Sequence, residues 1–252
     1  MPTPTAQANH HALFPGHVST LAVTDPELID IFDDMAFDEV LENSELAPRL
    51  RLIITQLAAL IGVGATAELR AMLGAGLAVG VTPVEAKEIV YQSVPYVGMG
   101  RAFDILHATN DVLTARGVEL PLPGQSTTTR ETRATDGRAV QERIVGAERV
   151  AAMYASAPDD EQHIQRLLSA HCFGDHYTRT GLDVPTRELV TLALLVGLGG
   201  ADAQVRGHVT ANLNVGNDRA VLIDVVTQLV PFVGYPRTLN ALAAIDEIAP
   251  AA

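Results

Sequence analysis

One segment of this chain occurs twice. Residues 37–108 align with residues 173–244 at a constant offset of 136 and without a gap. Roughly a quarter to a third of the paired positions are identical, well above chance for an ungapped register. The closest stretch sets Gln92-Ser93-Val94-Pro95-Tyr96-Val97-Gly98 against Gln228-Leu229-Val230-Pro231-Phe232-Val233-Gly234. Phe37, Arg51, Thr55, Arg70 and Arg101 recur as Phe173, Arg187, Thr191, Arg206 and Arg237. The fold must therefore be one that this sequence can build twice. Two copies are too few for a solenoid, so the pattern predicts two like units packed as an internal pseudo-dimer. The copies are chemically unequal. His171, Asp175, Glu188 and His208 of the second stand opposite Met35, Glu39, Leu52 and Met72 of the first. That inequality directs the search for function to the second copy.

Strand alternation is scarce and helix spacing dominates, so both units are read as all-α. Asp25-Pro26 supplies an N-cap and a first-turn proline before the stripe Leu28, Ile29, Ile31, Phe32, Met35 and Ala36. The run Leu50-Ile53-Ile54-Leu57-Ala58-Ile61 keeps helix spacing and ends at Gly62 to Gly64. A helix is expected over Thr66–Leu77, with Gly80 at its end. Thr82-Pro83-Val84-Glu85 reads as a capping box for a helix through Val94. Gly98 breaks that helix, and Ala102–Ala115 closes the unit. The second unit is expected to repeat this over Val184–Leu198, Ala203–Leu213, Asp218–Val230 and Arg237–Ile248. Helices resuming at Arg138 and over Glu161–Phe173 precede it. Helices as apolar as Leu50–Ile61 and Val190–Leu198 are buried on several sides. Residues 1–24, interrupted by Pro2, Pro4, Pro15 and Gly16, read as a flexible N-terminal arm. Residues 25–116 make the first unit, 117–138 a Pro-, Gly- and Thr-rich linker, and 139–252 the second unit.

Composition removes several classes of function. Apolar residues make up 48% of the chain, enough for a substantial core without disulfides. With Cys172 as the single cysteine, no intrachain disulfide, CxxC pair or cysteine-rich zinc site can form. A reducing cytoplasm is the expected compartment. A formal charge of −13 with no basic run argues against nucleic acid and against anionic membranes. No stretch reaches the length of a membrane span, and Met1 to Gln7 lacks the basic start and apolar core of a secretory signal. No phosphate loop, GxSxG elbow or dinucleotide fingerprint occurs. His10, His11 and His17 have no carboxylate or cysteine at ligand spacing beside them, so they are assigned no metal. Their role stays open.

The candidate chemistry lies in the second copy. His208, on an expected helix, suits proton transfer near neutral pH; it reads equally as a partly buried histidine bonded to a carbonyl. Glu188 opens a helix that is otherwise apolar. It is either an ordinary first-turn glutamate or a buried carboxylate that needs a partner, with Arg187 and His208 as candidates. His171 and Asp175 are four apart and share a face if Gly174 does not end the helix first. They are then a proton shuttle, a metal half-site or a solvated helix end. Cys172 reads as a small buried hydrophobe rather than a nucleophile. Tyr177 and Tyr235 are candidate wall residues.

These stretches resemble the carboxymuconolactone decarboxylase family. The resemblance is carried by His171-Cys172-Phe173-Gly174-Asp175-His176-Tyr177-Thr178-Arg179-Thr180-Gly181-Leu182, by Thr186-Arg187-Glu188-Leu189-Val190-Thr191-Leu192-Ala193, and by His208 to Gly216. Gln228 to Pro236 completes the order, and Glu142 to Glu148 is similar to the family's opening helix. Arg51 to Asp111 matches the same domain more weakly. The wider superfamily includes the AhpD-like peroxidase-related proteins, so the resemblance implies two tandem AhpD-like helical units. It also implies a homo-oligomer, a homotrimer of tandem chains resembling a hexamer. The implied activity is cofactor-independent loss of CO2 from a carboxylated unsaturated lactone in the breakdown of aromatic acids.

The conjugated ring carbonyl would take the electrons, so the protein must orient the carboxylate, stabilise an enolate oxygen and protonate carbon. In that scheme Arg187 holds a substrate carboxylate, His208 stabilises or protonates the dienolate, and Asp175 or Glu188 sets the histidine tautomer. Glu188 stands where the decarboxylases carry a small polar residue and the peroxidase-like branch a glutamate. That branch uses a CxxC, which Gly199-Gly200-Ala201-Asp202-Ala203 lacks, so thiol peroxidase activity is not expected. His107, where the second copy has Ala243, either reaches toward His208 in one composite site or lies on the surface. The expected function is a decarboxylase-like enzyme for a small acidic or lactone substrate. The alternatives are a recruited acid–base enzyme, an isomerase or dehydratase, and a non-catalytic oligomer that binds a small molecule.

Overall fold

The computed structural model describes residues 1–17, 19–53 and 58–251. It is all-α, with no strand among the described residues. The first unit comprises α1 (Pro4–Leu13), α2 (Leu21–Thr24), α3 (Pro26–Asp34), a π-helical turn over Met35–Glu39, α4 (Val40–Glu42), α5 (Pro48–Arg51), α6 (Ala59–Val63), α7 (Thr66–Ala78) and α8 (Pro83–Ala115). The second comprises α9 (Arg133–Val145), α10 (Ala147–Ser156), α11 (Gln162–Leu167), a π-helical segment over Leu168–Tyr177, α12 (Val184–Leu198), α13 (Asp202–Asn214), α14 (Arg219–Val233) and α15 (Tyr235–Ile248). No helix is long and apolar enough to cross a membrane among these residues.

The repeat is a structural one. Asp202–Asn214 falls on Thr66–Ala78 at the offset of 136, and the π-helical turn over Met35–Glu39 falls within the π-helical segment over Leu168–Tyr177. The Thr82 capping box forms as expected, Glu85 and Thr82 each bonding the other's backbone N–H. Asp183 and Asp218 cap α12 and α14 one way, their carboxylates accepting from the backbone N–H groups of Thr186 and Val221. Gly98 and Gly234 are the clearest matched pair. At φ 75° and 78°, each adopts a backbone that side-chain-bearing residues avoid. Each turns the chain sharply between two helical runs, so α8 is two helices joined end to end, as α14 and α15 are.

The units meet along α6 and α12. A Cβ on Gly62 would overlap the Leu194 carbonyl, and one on Gly197 would overlap the backbone of Ala59. The backbones therefore touch, and only glycine permits it. Eleven successive residues of α12, Arg187 to Gly197, are buried, so it is the central helix of the molecule. That burial matches its apolar sequence. The middle of the equivalent run in the first unit, residues 54–57 including Thr55, lies outside the described residues.

Two expectations need correction. Residues 1–24 are not irregular throughout: α1 forms, because Thr3 caps it and Pro4 sits in its first turn, where a proline costs nothing. Its polar residues tie it down, with the Thr3 N–H donating to Asp34 Oδ1 at 2.6 Å and Asn9 Nδ2 to the Phe37 carbonyl at 2.8 Å. In the stretch 117–138, helix already begins at Arg133. The preceding segment is pinned by Thr127 and Thr128, whose hydroxyls donate to the carbonyls of Thr178 and Gly174.

Candidate functional site

Because α12 is surrounded, every polar group on it must find a partner inside the protein. Glu188 is fully buried, and its two oxygens divide between two donors. Oε2 lies 2.8 Å from His208 Nδ1, and Oε1 accepts the Tyr177 hydroxyl at 2.6 Å. A carboxylate only accepts, so Nδ1 carries the hydrogen. In the neutral ring this leaves the lone pair on Nε2, the nitrogen that can exchange a proton with a substrate. The His208 side chain is 16% exposed. Beside the pair, the Asn212 side chain ties α13 to α12, its Nδ2 donating both to the Glu188 carbonyl at 3.2 Å and to the His208 carbonyl at 2.7 Å.

The network continues into the first unit. The Tyr177 hydroxyl spends its hydrogen on Glu188, so it accepts from Thr191 at 2.9 Å and from Tyr96 at 3.0 Å. Thr191 in turn accepts from Gln92 Nε2 at 3.3 Å, and Gln92 Oε1 accepts from Arg187 Nη1 at 3.0 Å. Donors and acceptors thus run in one direction, from the Arg187 guanidinium through Gln92, Thr191 and Tyr177 to Glu188, with His208 at the far side. Such a chain polarises along its length and fixes each rotor. Tyr96 also stands edge-on to the imidazole, ring centroids 5.6 Å apart, and walls one side of it. Burial pushes the Tyr96 and Tyr177 phenols well above their usual range, so both stay protonated as hydrogen-bond donors at neutral pH. Cys172 donates to the Tyr96 hydroxyl at 3.8 Å, and burial pushes its thiol up to about 12.

The sequence candidates fare differently. Glu188 and His208 come together as a pair. Arg187 joins the network but is fully buried and already engaged. Its Nη2 donates to Glu88 Oε2 at 2.9 Å and to the carbonyls of Arg179 and Thr180, while Glu88 also holds Arg179. In this structure it anchors the two units to each other and offers no face to a substrate carboxylate. His171 and Asp175 do pair, Nδ1 to Oδ2 at 2.7 Å, with Arg133 as a third partner at 3.0 Å from the same oxygen. The helix continues through Gly174 in π form. His171 is exposed and Asp175 half-buried, and neither bonds to Glu188 or His208. His107 is exposed and packs on Phe103, ring centroids 4.7 Å apart, so it does not reach His208. The first-unit residues that do join the network are Tyr96, Gln92 and Glu88. Tyr235 is exposed, and Tyr177 is central. Among the described residues, no three His, Cys, Asp or Glu side chains converge as a metal-binding group.

Sequence reasoning passed over Tyr96, Gln92 and Glu88 because it sought polar residues in the second copy. A signal was present: in the best-matched stretch of the repeat, Tyr96 faces Phe232, a difference of one hydroxyl.

The model of the carboxymuconolactone decarboxylase family matches residues 26–111 and again residues 162–247. A 4-carboxymuconolactone decarboxylase from Acinetobacter baylyi is 29% identical over 118 residues, covering 47% of this chain and 87% of that protein.

Proposed function

The chain belongs to the carboxymuconolactone decarboxylase family, and from that premise we propose that it is a cofactor-independent decarboxylase-like enzyme acting on a small carboxylated lactone or a related acid. The observation that carries this reading is the 2.8 Å contact between His208 Nδ1 and a completely buried Glu188. A carboxylate held there fixes the imidazole tautomer and orientation and stabilises the imidazolium. The reaction is redox-neutral. The bond between the substrate carbon and its carboxylate breaks, CO2 leaves, and the electron pair passes into the conjugated lactone as a dienolate. His208 enters this step as the imidazolium, Nε2 having taken a proton from solvent while Nδ1–H stays on Glu188; Nε2–H delivers that proton to carbon, and the neutral ring returns with its lone pair on Nε2. Tyr96 forms the wall against which the flat substrate ring is held.

The test is CO2 release from 4-carboxymuconolactone. His208→Ala, with its helical content and unfolding midpoint unchanged, is expected to lose turnover by roughly a hundredfold or more. Undiminished turnover would exclude a proton-transfer role for His208. A second reading, an isomerase or dehydratase, is favoured by the position of Arg187. A guanidinium fully buried and bonded through Nη1 and Nη2 to Gln92 and Glu88 leaves a proton-moving pair in which no departing carboxylate is clamped. Proton exchange into a lactone with no CO2 released would select it.

The same reading includes a homo-oligomer, a homotrimer of tandem chains resembling a hexamer. Its support is a repeated apolar surface. Met99 and Phe103 are exposed just past the Gly98 break, and Tyr235 and Leu239 are exposed at the equivalent places past Gly234. A ring that alternates first and second units would set one pair against the other.

A further inference from the structure

The pseudo-symmetry gives the first unit its own counterpart of the Glu188–His208 site. Met72 stands at the position of His208 and Phe232 at that of Tyr96. In the second unit this space is filled by a polar network. In the first, Met72 and Phe232 line a cavity of about 660 Å³, within the roughly 300–1,000 Å³ typical of sites for drug-sized ligands. Its composition departs sharply from that of the chain. The protein has six phenylalanines, and four of them, Phe14, Phe32, Phe37 and Phe232, line this one cavity. The His10 and His17 rings complete the wall. Centroids of His10 and Phe37 are 5.1 Å apart at 81°, those of Phe32 and Phe232 5.8 Å apart at 84°. These are edge-to-face arrangements that present both ring faces and ring edges. The histidines belong to the N-terminal arm, which α1 fastens over this unit through Thr3 and Asn9. Asp33 and Glu68 also line the cavity, and their carboxylates oppose entry by an anion.

We propose that this cavity is a second ligand site, separate from Glu188–His208, and that it takes an uncharged, planar aromatic small molecule. Acidic ligands are disfavoured there by the Asp33 and Glu68 carboxylates. The inference stands independently of the proposed reaction.

The test uses the full chain and a matched pair of probes. N-phenyl-1-naphthylamine is neutral, and 8-anilino-1-naphthalenesulfonate is the same skeleton with a sulfonate; both fluoresce when removed from water. Saturable binding of one neutral probe per chain is expected, at least about tenfold tighter than the anion, because like charges oppose the latter. Ala71→Trp, which fills the cavity from α7, should weaken binding by about tenfold or more through steric overlap. Ala22→Trp fills it from another wall if the first variant does not fold. Asp33→Asn with Glu68→Gln should narrow the gap between the probes, and His208→Ala should leave the neutral probe's affinity unchanged. Absence of saturable binding by folded protein overturns the proposal. So does full affinity in a folded filling variant, or loss of binding in His208→Ala. Binding that weakens as protein concentration rises also overturns it, since a second copy would then be the occupant of the cavity mouth.

Discussion

Glu188 is the residue on which the site turns, because a carboxylate without solvent is tolerable only when donors meet both of its oxygens. His208 and Tyr177 do so, and each is in turn held by its own helix. The sequence marked Glu188 and His208, since a charged residue in an apolar helix is visible without coordinates. It could not rank Arg187 correctly. The same burial that makes an arginine conspicuous also forces it to spend its donors internally. Cys172 shows the same logic. Its thiol, pushed up to about 12 by burial, is essentially all protonated at pH 8, and the thiolate is the reactive form. Native protein at pH 8 is therefore expected to resist iodoacetamide, with labelling of Cys172 appearing only in denaturant. Rapid native labelling, read by mass spectrometry, would contradict the packing around Tyr96.

At the scale of elements, caps and glycines were legible and π-helical turns were not. Thr82, Asp183 and Asp218 announce helix starts through chemistry confined to four residues. A π-helical segment arises where neighbouring helices press on the chain, and Leu168–Tyr177 carries no local code for it. Likewise α1 was missed because Pro4 was read as a breaker, although a first-turn proline removes an N–H that has no partner in any case. The end of α14 offers a direct check. Gly234 has φ 78° and ψ 164°, a region nearly closed to residues with a Cβ. Gly234→Ala is expected to cost about 1–3 kcal/mol in urea unfolding. A variant as stable as the parent would show that the turn relaxes freely.

At the scale of the whole molecule, the two units are tied by one buried ion cluster. Glu88 of the first unit faces both Arg179 and Arg187 of the second. Removing it leaves the fully buried Arg187 guanidinium without its carboxylate and out of reach of water, and takes the partner from the partly exposed Arg179. Glu88→Ala is expected to destabilise the protein by about 3–5 kcal/mol, as measured by denaturant unfolding; a loss near zero would mean that the units hold together without the cluster. The proposed homo-oligomer belongs to this scale too. Phe103→Asp together with Leu239→Asp is expected to reduce the assembly to single chains in sedimentation velocity, while leaving the unfolding midpoint of the chain itself nearly unchanged.

What the sequence determined by itself was everything written in local or periodic terms: the doubling, the helical class, most helix ends, and the burial of α12. These follow from hydrophobic spacing and capping, which act over a few residues. Only the tertiary structure decided which polar groups share a site. Tyr96, Gln92 and Glu88 lie roughly ninety residues from the partners they contact, and hydrogen bonding depends on position in space. Packing sets the first unit's Tyr96 against the second unit's His208, and lines the equivalent place in the first unit with aromatic rings.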